Sequence, residues 1–119
     1  MRTEQREEMK NIAQLLRRAH CAFGELSERY GIAVQAGTQC CSTCALTVFR
    51  NNRNKRGCYW TMNDEIQLDE SGKFSIGFVG HTKVHARELC SLLQFALHRH
   101  GLKTKRDGLS NSVDIIGMR

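Results

Sequence analysis

The organisation of this chain changes within residues 31–44, which read GIAVQAGTQCCSTC. Gly31 follows a long helical pattern and suits the left-handed position that ends a helix. Residues 32–36 are typical of a short strand, and a brief connection then leads into three thiols, Cys40, Cys41 and Cys44. Thiols this dense favour chemistry over packing, namely metal ligation, disulfide exchange or a reactive nucleophile.

A long amphipathic helix is predicted before this stretch. Its apolar residues recur at steps of three and four and share one stripe: Met9, Ile12, Leu16, Ala19, Phe23, Leu26 and Tyr30. Thr3 is a capping residue for its start. A span of about 28 residues is ~42 Å long, which exceeds the width of a domain this small. Either the helix breaks at Gly24, or its first part, residues 1–20, projects and pairs with a second copy to form a homodimer.

The rest of the chain alternates between strands and helices. Residues 41–49 fit either a short helix or a strand, and we favour the helix. Strands over 58–62 and 74–79, joined by an acidic loop, follow it, and then a helix over 82–101 and a hairpin of strands over 102–106 and 113–118. We therefore predict an α+β fold, in which a mostly antiparallel sheet of four to five strands has two main helices packed on one face.

Composition indicates the class of protein. The chain has 119 residues, 40% of them apolar, which suits a single domain over residues 1–119. A chain of this size buries about two-thirds of its unfolded surface and needs neither disulfides nor metal to fold. We see no secretory leader and no apolar run near the ~20 residues that cross a bilayer. We therefore expect a cytoplasmic protein with reduced thiols and no membrane association.

Metal ligation is the first chemistry that the thiols suggest. Cys41 and Cys44 have the sequence spacing at which two thiolates coordinate one tetrahedral zinc ion. The chain has no second C-x-x-C segment, so the remaining ligands must come from other positions. The candidate Zn²⁺ ligands are Cys40, Cys41, Cys44, Cys58, His81 and His85. The alternative is that the thiols are buried, reduced and without a ligand role.

The same cysteines also fit a thiol-redox or reactive-cysteine protein. A C-x-x-C thiolate is activated at the amino terminus of a helix, and a helix beginning near Cys41 provides that position. Thioredoxin-like enzymes have a proline later in the chain, however, and this chain has none. It also has no Gly-x-Ser-x-Gly segment, phosphate-cradling loop or dinucleotide fingerprint, so binding is favoured over catalysis.

Basic residues are the third functional signal. The net charge is +6, and an anionic partner such as nucleic acid is one interpretation of it. The candidate nucleic-acid-binding residues are Arg50, Arg53, Lys55, Arg56, Lys103 and Lys105. Tyr59 and Trp60 lie on opposite faces of a predicted strand, so at most one of them can stack on a base. A protein partner and a phage or defence accessory role are the other interpretations.

Several of these residues together resemble a known family. Ala22-Phe23 before Leu26, then residues 31–34, then the Cys-Cys-x-x-Cys segment at residues 40–44, are similar to the opening of an uncharacterised bacterial family, classed as a domain of unknown function. The similarity covers about residues 20–117, and the double cysteine is its specific marker. The resemblance implies a fold and a thiol cluster, and it implies no reaction.

The chain departs from this family pattern at two places. Ala45 stands where the family often has glycine, and residues 61–64 read TMND where the family tends to have HQQD. We interpret the chain as a small cytosolic binding protein with a structural zinc site at its thiol cluster. The thiol-redox and nucleic-acid-binding interpretations stay open.

Overall fold

The computed structural model describes residues 3–50, 56–80, 82–106 and 110–118. Its helices and strands, in chain order, are α1 (Thr3–Tyr30), β1 (Ala33–Ala36), α2 (Ser42–Arg50), β2 (Gly57–Trp60), α3 (Met62–Ser71), β3 (Phe74–Val79), α4 (Lys83–Arg99), β4 (Leu102–Lys105) and β5 (Ser112–Met118). The predicted α+β class is confirmed, and so are the first helix, the helix before the last hairpin, and the hairpin itself.

The five strands form one mixed sheet in the order β1-β2-β3-β5-β4. Strands β1 and β2 are parallel, with Val34 opposite Cys58, whereas the remaining neighbours pair antiparallel. We predicted a mostly antiparallel sheet, and the mixed sheet corrects this prediction. Helix α2 returns the chain along the sheet, so β2 begins at the same end as β1. The segment carrying the thiols therefore lies beyond the carboxyl end of β1.

Helices α1 and α4 pack on one face of the sheet and bury the main core with it. The side chains that meet there include Ala19, Ala22, Phe23, Leu26, Trp60, Phe74, Ile76, Phe78, Leu93, Ala96, Leu97 and Val113. Trp60 is fully buried, and its ring centroid lies 4.5 Å from that of Phe23 and 5.5 Å from that of Phe74. The core thus forms without any contribution from the three clustered thiols.

Helix α1 is continuous, so the predicted alternative of a break at Gly24 is wrong. Gly31 ends the helix with a φ of 64°, as its left-handed preference predicts. Part of the segment 1–20, predicted to project, instead packs against the core through Ile12, Leu15, Leu16 and Ala19. Pairing of α1 with a second copy stays a prediction. No helix among the described residues has the length and apolar character needed to cross a membrane.

Helix α3 replaces the acidic loop that we predicted between β2 and β3. Thr61 caps its start: the Thr61 side chain accepts the N–H of Asp64 at 3.2 Å, and the Asp64 carboxylate accepts the N–H of Thr61 at 2.8 Å. This reciprocal capping box satisfies two backbone amides at the start of the helix. Gly72 ends the helix with a φ of 72°. Helix α3 therefore starts directly after β2, where the thiol segment also lies.

Helix α2 packs on the other face of the sheet from α1 and α4. Ala45 and Phe49 contact Tyr59, whose side chain points away from the face that carries Trp60 because neighbouring strand residues alternate. Gly57 permits this close approach, since a Cβ atom there would collide with the Phe49 ring. This second, smaller cluster fixes α2 above β2 and thereby positions the amino terminus of α2.

Candidate metal centre

Cys40 and Cys41 lie on a loop over residues 37–41, the thiol loop, which backbone hydrogen bonds attach to the end of β2 and the start of α3, while Cys44 lies in the first turn of α2. The N–H of Gly37 donates to the carbonyl of Trp60 at 3.0 Å. The N–H of Met62 donates to the carbonyl of Gln39 at 2.9 Å, and that of Asn63 donates to the carbonyl of Cys40 at 3.3 Å. These backbone hydrogen bonds fix the loop along its length, and they fix the position of Cys40 without any contact of its side chain.

Three sulfur atoms converge at the end of this loop. The Sγ atom of Cys40 lies 3.4 Å from that of Cys44 and 3.8 Å from that of Cys41. The Sγ atoms of Cys41 and Cys44 are 3.8 Å apart. Cys40 is exposed, and the other two are half-buried. Among the described histidines, cysteines and acids, this is the group whose ligand atoms lie close enough together to hold a metal ion.

The spacing of the sulfurs fits three corners of a tetrahedron. A zinc ion holds thiolate sulfur at about 2.3 Å in tetrahedral geometry, which requires sulfur–sulfur separations of about 3.8 Å. Two of the three separations have this value, and the third, at 3.4 Å, is shorter. The side chains therefore need little rearrangement to bind one ion together.

Hydrogen bonds shift the pKa values of Cys41 and Cys44 in opposite directions. Cys41 is the N-cap of α2, since its carbonyl accepts the N–H of Ala45 at 3.1 Å. The backbone N–H of Cys44, followed by the Cys44 and Cys40 thiols, donates to the Cys41 sulfur and lowers the pKa of Cys41 below 9.0. Sharing of its proton with Cys40, then with Cys41, raises the pKa of Cys44 to about 11. Cys41 is therefore more acidic than Cys44.

Cys58, a predicted ligand, is not part of this group. It is fully buried in the main core, on the sheet face that carries α1 and α4, whereas α2 and its amino terminus lie on the other face. Burial, and then the nearby Cys90, raise the pKa of Cys58 far above 9.0. Because Cys58 is neutral and enclosed by apolar side chains, it packs as a small hydrophobic residue.

His85, the predicted histidine ligand that the structure describes, is not close to the thiols either. Strand β3 runs antiparallel to β2, so its end at Val79 lies beside Gly57, at the start of β2. A Cβ atom on Gly80 would lie 3.1 Å from the backbone carbon of His85, so His85 is at that end of the sheet. The thiol loop bonds to the opposite end of β2, at Trp60. His81 lies outside the described residues.

Of the residues predicted to bind nucleic acid, the four that the structure describes occupy two separate regions. Arg50 ends α2 and Arg56 precedes β2, while Lys103 and Lys105 are exposed on β4, at the far edge of the sheet. Strands β2 and β4 are three strand spacings apart, or about 14 Å. Arg53 and Lys55 lie outside the described residues.

The two aromatic residues considered for base stacking are both covered. Trp60 is fully buried, and Tyr59 is 9% exposed. Neither ring is therefore exposed enough to stack on a base, as we had expected that one of them could. Nucleic-acid binding by the basic residues stays a prediction.

Comparison with known proteins adds no relative. No family model, no curated protein and no solved structure matches this chain. The resemblance to the bacterial Cys-Cys-x-x-Cys family therefore stays a prediction that rests on the sequence motifs.

Proposed function

We propose that this protein binds one zinc ion through Cys40, Cys41 and Cys44. The observation that carries the proposal is the convergence of the three Sγ atoms, at separations of 3.4, 3.8 and 3.8 Å, on one accessible point. The N-cap position of Cys41 further favours the thiolate form, which is the form that binds metals.

The ligand chemistry favours zinc among the common ions. Thiolate sulfur selects zinc, copper(I) and iron–sulfur clusters, whereas magnesium and calcium take oxygen ligands. Two of the three sulfur separations equal the edge of a tetrahedral zinc–thiolate site, about 3.8 Å. Zinc needs no redox partner and accepts three protein ligands with one further ligand from outside.

Titration with Co²⁺, a spectroscopic substitute for zinc, tests the proposal. We expect thiolate-to-cobalt charge-transfer absorption that saturates at one equivalent of metal in reduced protein, and displacement of the cobalt by added zinc. Cys41→Ser should greatly weaken this absorption. Cys21→Ser is the matched control, because Cys21 is an exposed cysteine on α1 outside the thiol group. Absence of the absorption, or equal loss in both variants, overturns the proposal.

A thiol-redox function is the second candidate, and one observation favours it. The lowered pKa of Cys41 at the start of α2, with Cys44 at 3.8 Å, resembles the arrangement of a nucleophilic thiol and its resolving partner. In metal-free protein, the rate of alkylation by iodoacetamide at each cysteine tests it. Faster reaction at Cys41 than at Cys21, together with no cobalt binding, favours this function over the metal site.

Cytoplasmic location and family membership belong to the same proposal. A thiolate metal site requires reduced cysteines, which the cytosol maintains. The double cysteine that marks the bacterial family supplies two of the three proposed ligands, Cys40 and Cys41. Members of that family would then share the metal site as well as the motif.

Self-association through α1 is also proposed. The helix has 28 residues, and the long dimension of the protein is 48 Å against 28 and 27 Å for the other two. A helix that extends a small domain along one axis offers its first turns to a second copy. Sedimentation of the wild type and of Met9→Glu tests this: a dimer that the substitution dissociates is expected, and a wild-type monomer contradicts it.

A further inference from the structure

We propose, on the basis of the proposed zinc site, that the bound ion is cargo: external thiols enter an open fourth coordination position and exchange the ion. The protein would then act as a carrier of a thiophilic metal, and the ion would not be the element that holds the fold together.

The first observation is the number of ligands. The described residues bring three ligand atoms together, all from one five-residue segment, Cys40 to Cys44. Structural zinc sites have four protein ligands, whereas sites with three keep one position open for water or another molecule. No fourth histidine, cysteine, aspartate or glutamate of the described chain joins the group.

The second observation is that the site lies at the surface. Cys40 is exposed, and so are four residues near the three sulfurs: Thr38, Ser42, Thr43 and Asn63. None of the three cysteines belongs to either buried hydrophobic cluster. An incoming thiol of modest size can therefore approach the ion without any unfolding of the protein.

The third observation is that the surrounding structure is held without metal. The thiol loop is attached by the backbone bonds of Gly37, Met62 and Asn63, helix α3 has its own capping box, and helix α2 is anchored by Phe49 on Tyr59. Zinc-dependent domains, in contrast, unfold when the ion is removed. Removal of an ion from this site leaves all these contacts in place.

The exchange step is a ligand substitution without redox change. The external thiol gives up its proton, its sulfur forms a bond to the ion, and the bond from the ion to Cys40 breaks while Cys40 takes up a proton. Cys40 is the first to leave because it is the most exposed of the three, whereas the Cys41 sulfur is held by backbone N–H groups of α2. Two further substitutions transfer the ion completely.

Zinc release in the presence of glutathione tests the inference. Zinc-loaded protein is mixed with an excess of a colorimetric zinc chelator, and the rate is followed as the glutathione concentration is varied. We expect the rate to rise in proportion to glutathione, so that doubling glutathione about doubles the rate, as mass action requires. Cys21→Ser should behave as the wild type does. A rate that does not depend on glutathione overturns the inference.

Two further experiments test the source of the thiol and the role of the open coordination position. In the first, a metal-free peptide that contains four cysteines replaces glutathione at equal thiol concentration. Faster transfer to the peptide assigns the exchange to a protein partner, and equal rates assign it to small thiols.

In the second, Asn63→Cys adds a thiol beside Cys40. A variant whose cobalt spectrum gains a fourth thiolate, yet exchanges as fast as the wild type, contradicts the inference.

Failure of the inference is distinguishable from failure of the zinc site. Protein that takes up no zinc at the loading step contradicts the proposed function itself. Protein that binds one zinc ion, but loses its cooperative thermal transition when the ion is removed, has a structural site and contradicts only the carrier role. The expected result is a metal-free protein that still unfolds cooperatively.

Discussion

The ring of Tyr59 lies over Gly77, its cross-strand partner on β3. A Cβ atom at position 77 would collide with the Tyr59 ring and hydroxyl. The ring centroid of Tyr59 also lies 6.0 Å from that of Phe49, which belongs to helix α2. The absence of a side chain on Gly77 therefore lets Tyr59 hold the helix whose amino terminus carries Cys44.

Substitution of Gly77 tests this relationship. Gly77→Ala should lower the free energy of unfolding by about 1–3 kcal/mol, because the added methyl group displaces the Tyr59 ring from a packed site. Chemical denaturation monitored by circular dichroism measures the change. The proposed metal affinity should fall with it, since the packing of Tyr59 against Ala45 and Phe49 positions α2.

Gly24 provides the matched control for that substitution. It lies inside α1, and a Cβ atom there would meet nothing within 4 Å. Gly24→Ala should therefore raise the free energy of unfolding by about 0.5–1 kcal/mol, the difference in helix propensity between the two residues. A Gly77→Ala variant as stable as the wild type would contradict the tight packing of the Tyr59 ring on β3.

The capping box of α3 gives a second prediction. Thr61→Ala should destabilise the protein by about 1–2 kcal/mol, because the N–H of Asp64 loses its acceptor at a buried helix start. Asp69→Ala is the control: Asp69 is exposed in the same helix, and its substitution should change stability by less than about 0.5 kcal/mol. Urea denaturation compares the two, and similar losses would contradict the capping role.

The buried thiol of Cys58 gives a prediction of pH dependence. Burial raises its pKa above the value of 9.0 that it has when solvated. Between pH 9.0 and the raised pKa of the buried thiol, the unfolded protein loses this proton while the folded protein keeps it. The free energy of unfolding that Cys58 contributes is therefore fully present below pH 9 and is lost as the pH rises above it. The slope expected for one such group is about 1.4 kcal/mol per pH unit.

Comparison with Cys58→Ala isolates this contribution. The variant should be less stable near neutral pH, because the substitution leaves a cavity in the core, but it should lose less stability between about pH 8 and about pH 10.5. The buried thiol of Cys90 and the hydroxyl of Tyr59, whose pKa values are also raised by burial, leave a residual slope in both proteins. Identical slopes for the two proteins would show that Cys58 is not the group responsible.

The sequence predicted helices correctly where a regular apolar pattern determines the structure. Helix α1 follows from its apolar stripe and from Gly31, and α4 follows from residues such as Leu89 and Leu93. Helix α3 was missed because Leu68 is its one buried residue, which leaves no stripe to recognise. The Thr61-x-x-Asp64 capping signal and Gly72 were the available evidence for it.

The same limit applies to the metal centre. Cys40, Cys41 and Cys44 are within five residues, so their convergence could be predicted from spacing alone. The exclusion of Cys58 depends on which face of β2 packs against α1, and the exclusion of His85 depends on the antiparallel pairing of β3 with β2. Both are decided by long-range strand pairing, which a local sequence pattern does not contain.

Native mass spectrometry of protein purified under reducing conditions with zinc present tests the central claim most directly. The wild type and Cys21→Ser should each carry one zinc ion per chain, and the variant with serine at all three clustered positions should carry none. Wild-type protein without zinc, or zinc retained in full by the triple variant, would contradict the assignment of these three thiols as a metal centre.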